Sequence, residues 1–147
     1  MTNKEKKEYL LGYQRINQRV NCLLLEQQRW RELATRVSPN LSGMPRGGGG
    51  GGTQGAVAKI VDLETEINEE IDKLVDERKR IEAAIRKIND PTLRILLEYR
   101  YINGKKWEEI ALMMGYDYRW ALRLHGRALS AVDEHAIESH IDSVISL

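Results

Sequence analysis

A chain of 147 residues, 41% hydrophobic and 31% charged, can build one or two small domains but not a large core. Its single cysteine, Cys22, excludes an internal disulfide framework. The absence of ~18 consecutive apolar residues excludes a membrane-spanning helix. The opening residues MTNKEKKEYLLGYQRINQ lack the apolar stretch of a signal peptide, so the expected location is cytoplasmic. Net charge is +1 overall but uneven: +4 over residues 1–37, −2 over 56–89, +2 over 90–132 and −4 over 133–147. The basic charge lies on the first helix and in the segment 90–132, a modest electrostatic footprint.

Residues 1–37 form the first domain segment, with a helix predicted from about Lys4 to Val37. Its heptad rows are Tyr9, Ile16, Leu23, Trp30 and Val37, with Tyr13, Val20, Gln27 and Ala34 beside them. Residues 38–55, with two prolines and six consecutive glycines from Gly47 to Gly52, read as a flexible linker. The glycine run is no phosphate cradle, because no strand precedes it and no Gly-Lys-Ser/Thr follows it.

A second helix is predicted over residues 56–89. Ile60, Ile67, Leu74, Ile81 and Ile88 recur every seventh residue, with Val57, Glu64, Ile71, Arg78 and Ile85 as the companion row. Two long helices with sustained heptads imply a coiled coil. Gln27, Glu64 and Arg78 then either sit in the seam, where they would set register, or lie at its rim. Folding the first helix back on the second brings Val37 near Val57, Trp30 opposite Glu64 and Ile16 opposite Arg78. An antiparallel pairing between two chains, centred near Ile71, would instead match Glu64 with Arg78. The hairpin has the higher effective concentration, and dimerisation in addition is expected.

Asp90-Pro91, an N-cap followed by proline at the first helical position, opens a third helix. That helix continues through Leu93, Leu96, Leu97 and Tyr101 and stops at Asn103-Gly104. Trp107, Ile110, Ala111 and Met114 follow with the stripe of a short amphipathic helix, and Gly115 ends it. Asp117 stands where the next helix should be capped. That next helix carries a core stripe of Ala121, Leu124, His125, Ala128, Leu129 and Val132, and an opposite face of Tyr118, Arg119, Arg123 and Arg127. A short helix, a turn and a helix with arginines at i, i+4 and i+8 suit a helix-turn-helix seated in a DNA major groove, or else an ordinary helical hairpin with solvated arginines. Residues 133–147 form an acidic tail. Ile137, Ile141, Val144 and Ile145 fall at helical spacing within it.

Little argues for catalysis. His135 and His140 are five residues apart, off the spacing that places two metal ligands on one helical face. Glu108 and Glu109 sit in a first helical turn, where carboxylates favour the helix dipole. No nucleophile motif surrounds Ser130 or Ser139. The expectation is a non-enzymatic protein with no cofactor and no metal.

The segment LLEYRYINGKKWEEIALMMGYDYRWALRLHGRAL resembles region four of bacterial sigma factors. The likeness lies in an aliphatic third helix, Gly104, Glu109-Ile110-Ala111, Gly115 and Arg127-Ala128. The layout as a whole is similar to small phage and prophage proteins that join a "KIVDLE" helix (Lys59–Glu64) to a "RYINGxxWEEIA" segment (Arg100–Ala111), including late transcriptional activators of the RinA and ArpU type. The resemblance covers residues 56 to 132 and, in layout only, residues 1 to 37. It implies an all-α protein in which a long coiled-coil hairpin precedes a trihelical DNA-binding unit over residues 90–132. It further implies a regulator of phage or prophage genes that binds double-stranded DNA, with host RNA polymerase as a further candidate partner. Nothing resembles the polymerase-binding, strand-melting region two, so promoter opening is not implied. Tyr118, Arg119 and Arg123 are the candidates for base edges, and Lys105, Lys106 and Arg127 those for phosphates. Two other readings stay open: a DNA-recognition protein of phage packaging, like a small terminase subunit, and a polymerase adaptor that does not read DNA.

Overall fold

The computed structural model describes residues 1–37 and 50–145, with every regular element among them helical and no strand. In chain order these are α1 (Asn3–Leu10), α2 (Gly12–Val37), α3 (Gly50–Arg86), α4 (Pro91–Leu97), a π-helical turn (Glu98–Ile102), α5 (Trp107–Met114), α6 (Tyr118–Ala131) and α7 (Glu134–Ile145). The protein is all-α. No helix among the described residues is long and apolar enough to cross a membrane. Residues 38–49 of the expected linker lie outside the described residues, as do the side chains of Val37, His140, Ile141, Val144 and Ile145. The chain divides into two units, Met1–Arg15 with Leu74–Leu147, and Ile16–Lys73.

The first unit has the larger core. Leu10, Ile81, Ile85, Ile88, Leu96, Leu97, Tyr101, Ile110, Leu124, Ala128, Leu129, Val132 and Ile137 form one buried cluster. It draws side chains from α1, the end of α3, and α4 to α7. The single first helix expected from Lys4 to Val37 is in fact two, broken at Leu11. Thr2 begins α1 as a capping box: its hydroxyl accepts from the Glu5 N–H, and the Glu5 carboxylate accepts from the Thr2 N–H. At the break, Glu77 of α3 approaches Gly12 so closely that a Cβ there would lie 2.6 Å from its Oε1. The consequence is that α1 packs with the C-terminal helices, so residues 1–10 are not the start of a long paired helix.

Asp90 caps α4 through its carboxylate, which accepts from the Thr92 N–H at 2.9 Å, and Pro91 occupies the first turn. The third helix does not run on as an α-helix to Tyr101 as expected. From Glu98 it widens into a π turn, closed where the Asn103 N–H and side-chain amide both donate to the Glu98 carbonyl (3.0 and 3.2 Å). Within that turn Tyr101 is fully buried. Gly104 then takes φ +67°, which a side chain would strain.

In the second unit α2 and α3 run antiparallel. Leu23, Leu63 and Ile67 form its core with Trp30 against them, and Val20 is buried nearby. Two expectations are corrected here. Within this unit the companion row of α3 is not Val57, Glu64 and Ile71, which are exposed, but the positions one residue earlier, Ala56, Leu63 and Glu70, which are buried; Ile85, the last member of the expected row, is buried in the first unit. Leu63 and Glu64 flank the same seam, and burying the leucine is the cheaper solution. The register also differs. Hairpin counting sets Gln27 opposite Ile67, yet buried Gln27 donates its amide to the Ile60 carbonyl at 3.3 Å. Arg19 likewise meets Glu70, where hairpin counting sets Val75, so α2 meets earlier α3 partners than counted, a slip that a seven-residue repeat tolerates.

The charged side chain that does enter the seam is Glu70, only 5% exposed. Arg19 Nε at 3.5 Å and Lys73 Nζ at 3.3 Å pair with it. In the first unit Arg78 is exposed, the rim alternative of the sequence reading; it lies over the Tyr13 ring at 5.7 Å and bonds Glu82 at 2.9 Å.

Candidate nucleic-acid interface

Gly115 closes α5 in the left-handed conformation, φ +71°, and the Tyr116 N–H reaches back to the Ala111 carbonyl at 2.9 Å. Three residues, Gly115, Tyr116 and Asp117, separate α5 from α6. Asp117 has the extended backbone of an N-cap, but its carboxylate makes no capping bond, and its carbonyl accepts the first helical bond from Ala121. At the start of α5 the Glu109 carboxylate accepts from the Lys106 N–H at 3.2 Å, which orders the residues leading into the helix.

The two faces of α6 are sharply distinguished. Ala121, Leu124, Ala128, Leu129 and the following Val132 are buried, and His125 is half-buried beside them. Tyr118, Arg119, Trp120, Arg123 and Arg127 are exposed. Arg119, Arg123 and Arg127 follow one another at single-turn intervals along one face. Tyr118 stands at the first residue of the helix. The Arg127 guanidinium lies 5.2 Å from the centre of the Trp120 ring, a cation–π contact that orients it along the helix surface. Trp120 is therefore a positioning side chain on this face. Its i, i+7 spacing from Arg127 was the available signal, although such spacing seldom predicts contact.

Lys105 and Lys106 are exposed and lie apart from this row, in the segment entering α5. Arg100 holds that segment: its guanidinium donates to the Lys105 carbonyl at 3.1 Å and stacks 5.2 Å from Trp107, while Gln14 donates to its backbone carbonyl. Arg100 Nε is buried without a hydrogen-bond partner, and the ring face of Trp107 is its compensation.

Beneath the exposed face, the Tyr101 hydroxyl and His125 Nε2 are hydrogen-bonded at 2.6 Å, and the His125 ring packs 4.4 Å from Trp107. Burial, with the nearby positive charges of Lys7 and Arg100, pushes the His125 imidazole down to about 4. Burial likewise lifts the Tyr101 hydroxyl to about 12. At neutral pH both are uncharged, so this junction between the π turn, α5 and α6 is a neutral polar contact inside an apolar core. Among the described residues no cluster of histidine, cysteine and carboxylates could hold a metal ion.

No protein family, no characterised protein and no solved structure matches this chain.

Proposed function

We propose that the protein is a non-enzymatic, sequence-specific DNA-binding regulator of phage or prophage transcription, acting in the bacterial cytoplasm. One observation carries the reading. A helix, α6, buries one face in the core and presents Arg119, Arg123 and Arg127 in a row on the other, behind a three-residue turn capped by glycine. An exposed arginine row on a braced helix is the arrangement that reads a major groove, with the N-terminal residues nearest the bases. Tyr118, Arg119 and Arg123 take the base edges, and Lys105, Lys106 and Arg127 the phosphates. Arginine bonds guanine through two parallel hydrogen bonds, so Arg123 is the residue on which discrimination rests.

The proposal is tested by selecting bound fragments from random duplex DNA and then comparing wild type with Arg123→Ala. The variant should lose ~1–3 kcal/mol on the selected site and relax discrimination at one base pair. Unchanged binding to selected and random duplex alike would remove Arg123 from the reading surface.

Two further observations favour additional partners. Leu112 on α5 is 83% exposed and Met113 half exposed, an apolar feature that favours a protein contact such as host RNA polymerase and keeps the adaptor reading alive. Polymerase binding that survives loss of the α6 arginines would support the adaptor. On α3, Val57, Val61 and Ile71 are exposed outside the seam, which favours self-association of the helical hairpin as a homodimer. Ring-shaped higher oligomers in light scattering would instead favour the packaging reading.

A further inference from the structure

We infer that α1 is part of the DNA-binding surface, with Lys4 and Lys7 supplying phosphate contacts beside α6; this rests on the reading of α6 as a DNA-binding helix.

Three observations converge. First, α1 is fastened to α6 itself. The Asn3 amide donates to the Gly126 carbonyl (3.3 Å) and the Ser130 hydroxyl (3.2 Å), and Lys6, 5% exposed, donates its ammonium to the Ser130 carbonyl at 3.3 Å. A lysine at the carbonyl end of a helix is favoured by the helix dipole, so the fastening is stable. Gly126 and Ser130 adjoin Arg123 and Arg127 on the α6 surface at i+3 spacing, so α1 borders the arginine row. It does so at the C-terminal half of α6 and leaves Arg119 at the other end uncovered.

Second, the register of α1 puts its lysines on the right edge. Asn3 and Leu10 mark the side turned to the core and α6. Lys7 lies one turn from Asn3 along the same edge, and Lys4 is the next position outward. Both are exposed.

Third, the carboxylates of α1 are committed elsewhere. Glu5 closes the capping box with Thr2, and Glu8 pairs with Arg15 at 2.5 Å. Among the described residues Lys4 and Lys7 form no ion pair. Beyond the electrostatic influence both exert on Glu8, these two cations on a helix fastened beside an arginine row add counterion-releasing charge without adding base recognition.

The test is a salt titration of duplex binding by the full chain, for wild type, Lys4→Ala/Lys7→Ala and Lys4→Arg/Lys7→Arg. Each is measured on the selected site and on random duplex. Loss of two phosphate contacts should flatten the slope of log affinity against log salt by about 2 and weaken both duplexes equally, with the arginine variant like wild type. An unchanged slope for the alanine variant, while wild type binds DNA, overturns the role of α1 and leaves the α6 reading standing. Loss confined to the selected site overturns it also, since phosphate contacts carry no sequence. A slope lost in the arginine variant as well would make the effect structural rather than electrostatic and overturn the proposal. Failure of wild type to bind any duplex would remove the α6 reading and this inference with it.

Discussion

The two units are built from the same material, amphipathic helices of a highly charged chain, yet they solve burial differently. The unit of Met1–Arg15 and Leu74–Leu147 collects thirteen buried side chains from six helices and the π turn into one cluster, including a fully enclosed tyrosine. Among the described residues, the unit of Ile16–Lys73 has two helices and a cluster of three buried residues, Leu23, Leu63 and Ile67, beside a buried glutamine and glutamate. Short helices meeting at several angles enclose space that a helix pair leaves open to solvent. A precise surface such as the α6 arginine row needs the former kind of support, whereas a paired rod with a thin seam tolerates slip and invites a further partner.

The sharpest way to break this contrast is a cavity in the many-helix core. Leu96→Ala, at a fully buried position, should cost ~2–5 kcal/mol in urea unfolding. If α6 binds DNA as proposed, duplex binding should weaken in parallel. A cost under 1 kcal/mol would mean that the cluster is loosely packed and the contrast overstated.

A smaller effect is expected from acid. His125 is depressed in the folded chain, so its neutral form contributes stability above pH ~6.5, and that contribution is lost as pH falls toward about 4. Because the ring is only partly shielded from solvent, the loss between pH 7 and pH 5 should be roughly 1 kcal/mol. Urea midpoints at the two pH values measure it, with His125→Gln as the non-titrating reference. Equal midpoints in wild type would show that the imidazole titrates normally.

In the hairpin, Glu70→Leu should change stability by less than ~1 kcal/mol, in either direction. A buried carboxylate loses its desolvation cost when replaced by an apolar side chain, and its partner Arg19 is well exposed, 62% at the side chain. The same variant should associate more strongly in light scattering. A loss of several kcal/mol would mean that Glu70 anchors the seam.

The smallest change should follow deletion of Gly47, Gly48 and Gly49, which precede α3. Loop-closure entropy varies slowly with length, so stability should move by no more than roughly 0.6 kcal/mol. Loss of folding would assign the glycine run an ordered role.

Much of the α6 site was legible from local pattern. The stripe from Ala121 to Val132, the glycine stop at Gly115 and the exposed arginines are all written at helical spacing. Each depends only on near neighbours and on the positive φ that a helix end of this kind needs. A helix starting near Lys4 was expected as well, although its capping box at Thr2 and Glu5 and its end at Leu10 came from the structure. What could not be read was where that helix goes. Its docking on α6 depends on Lys6 and Asn3 finding carbonyls more than a hundred residues away, and no spacing in the sequence encodes such a contact.

The seam of α3 marks the boundary between these two kinds of information. The seven-residue row from Ile60 to Ile88 was determined by the sequence, because a strict repeat leaves one face apolar whatever lies against it. Whether Leu63 or Glu64 joins that face, which residue of α2 meets Ile60, and whether Tyr101 lies in an α or a π turn were decided by tertiary structure. In each case two local conformations differ little in energy. Burial of a leucine, a glutamine amide reaching a carbonyl, or a tyrosine pairing with His125 is available in only one of them.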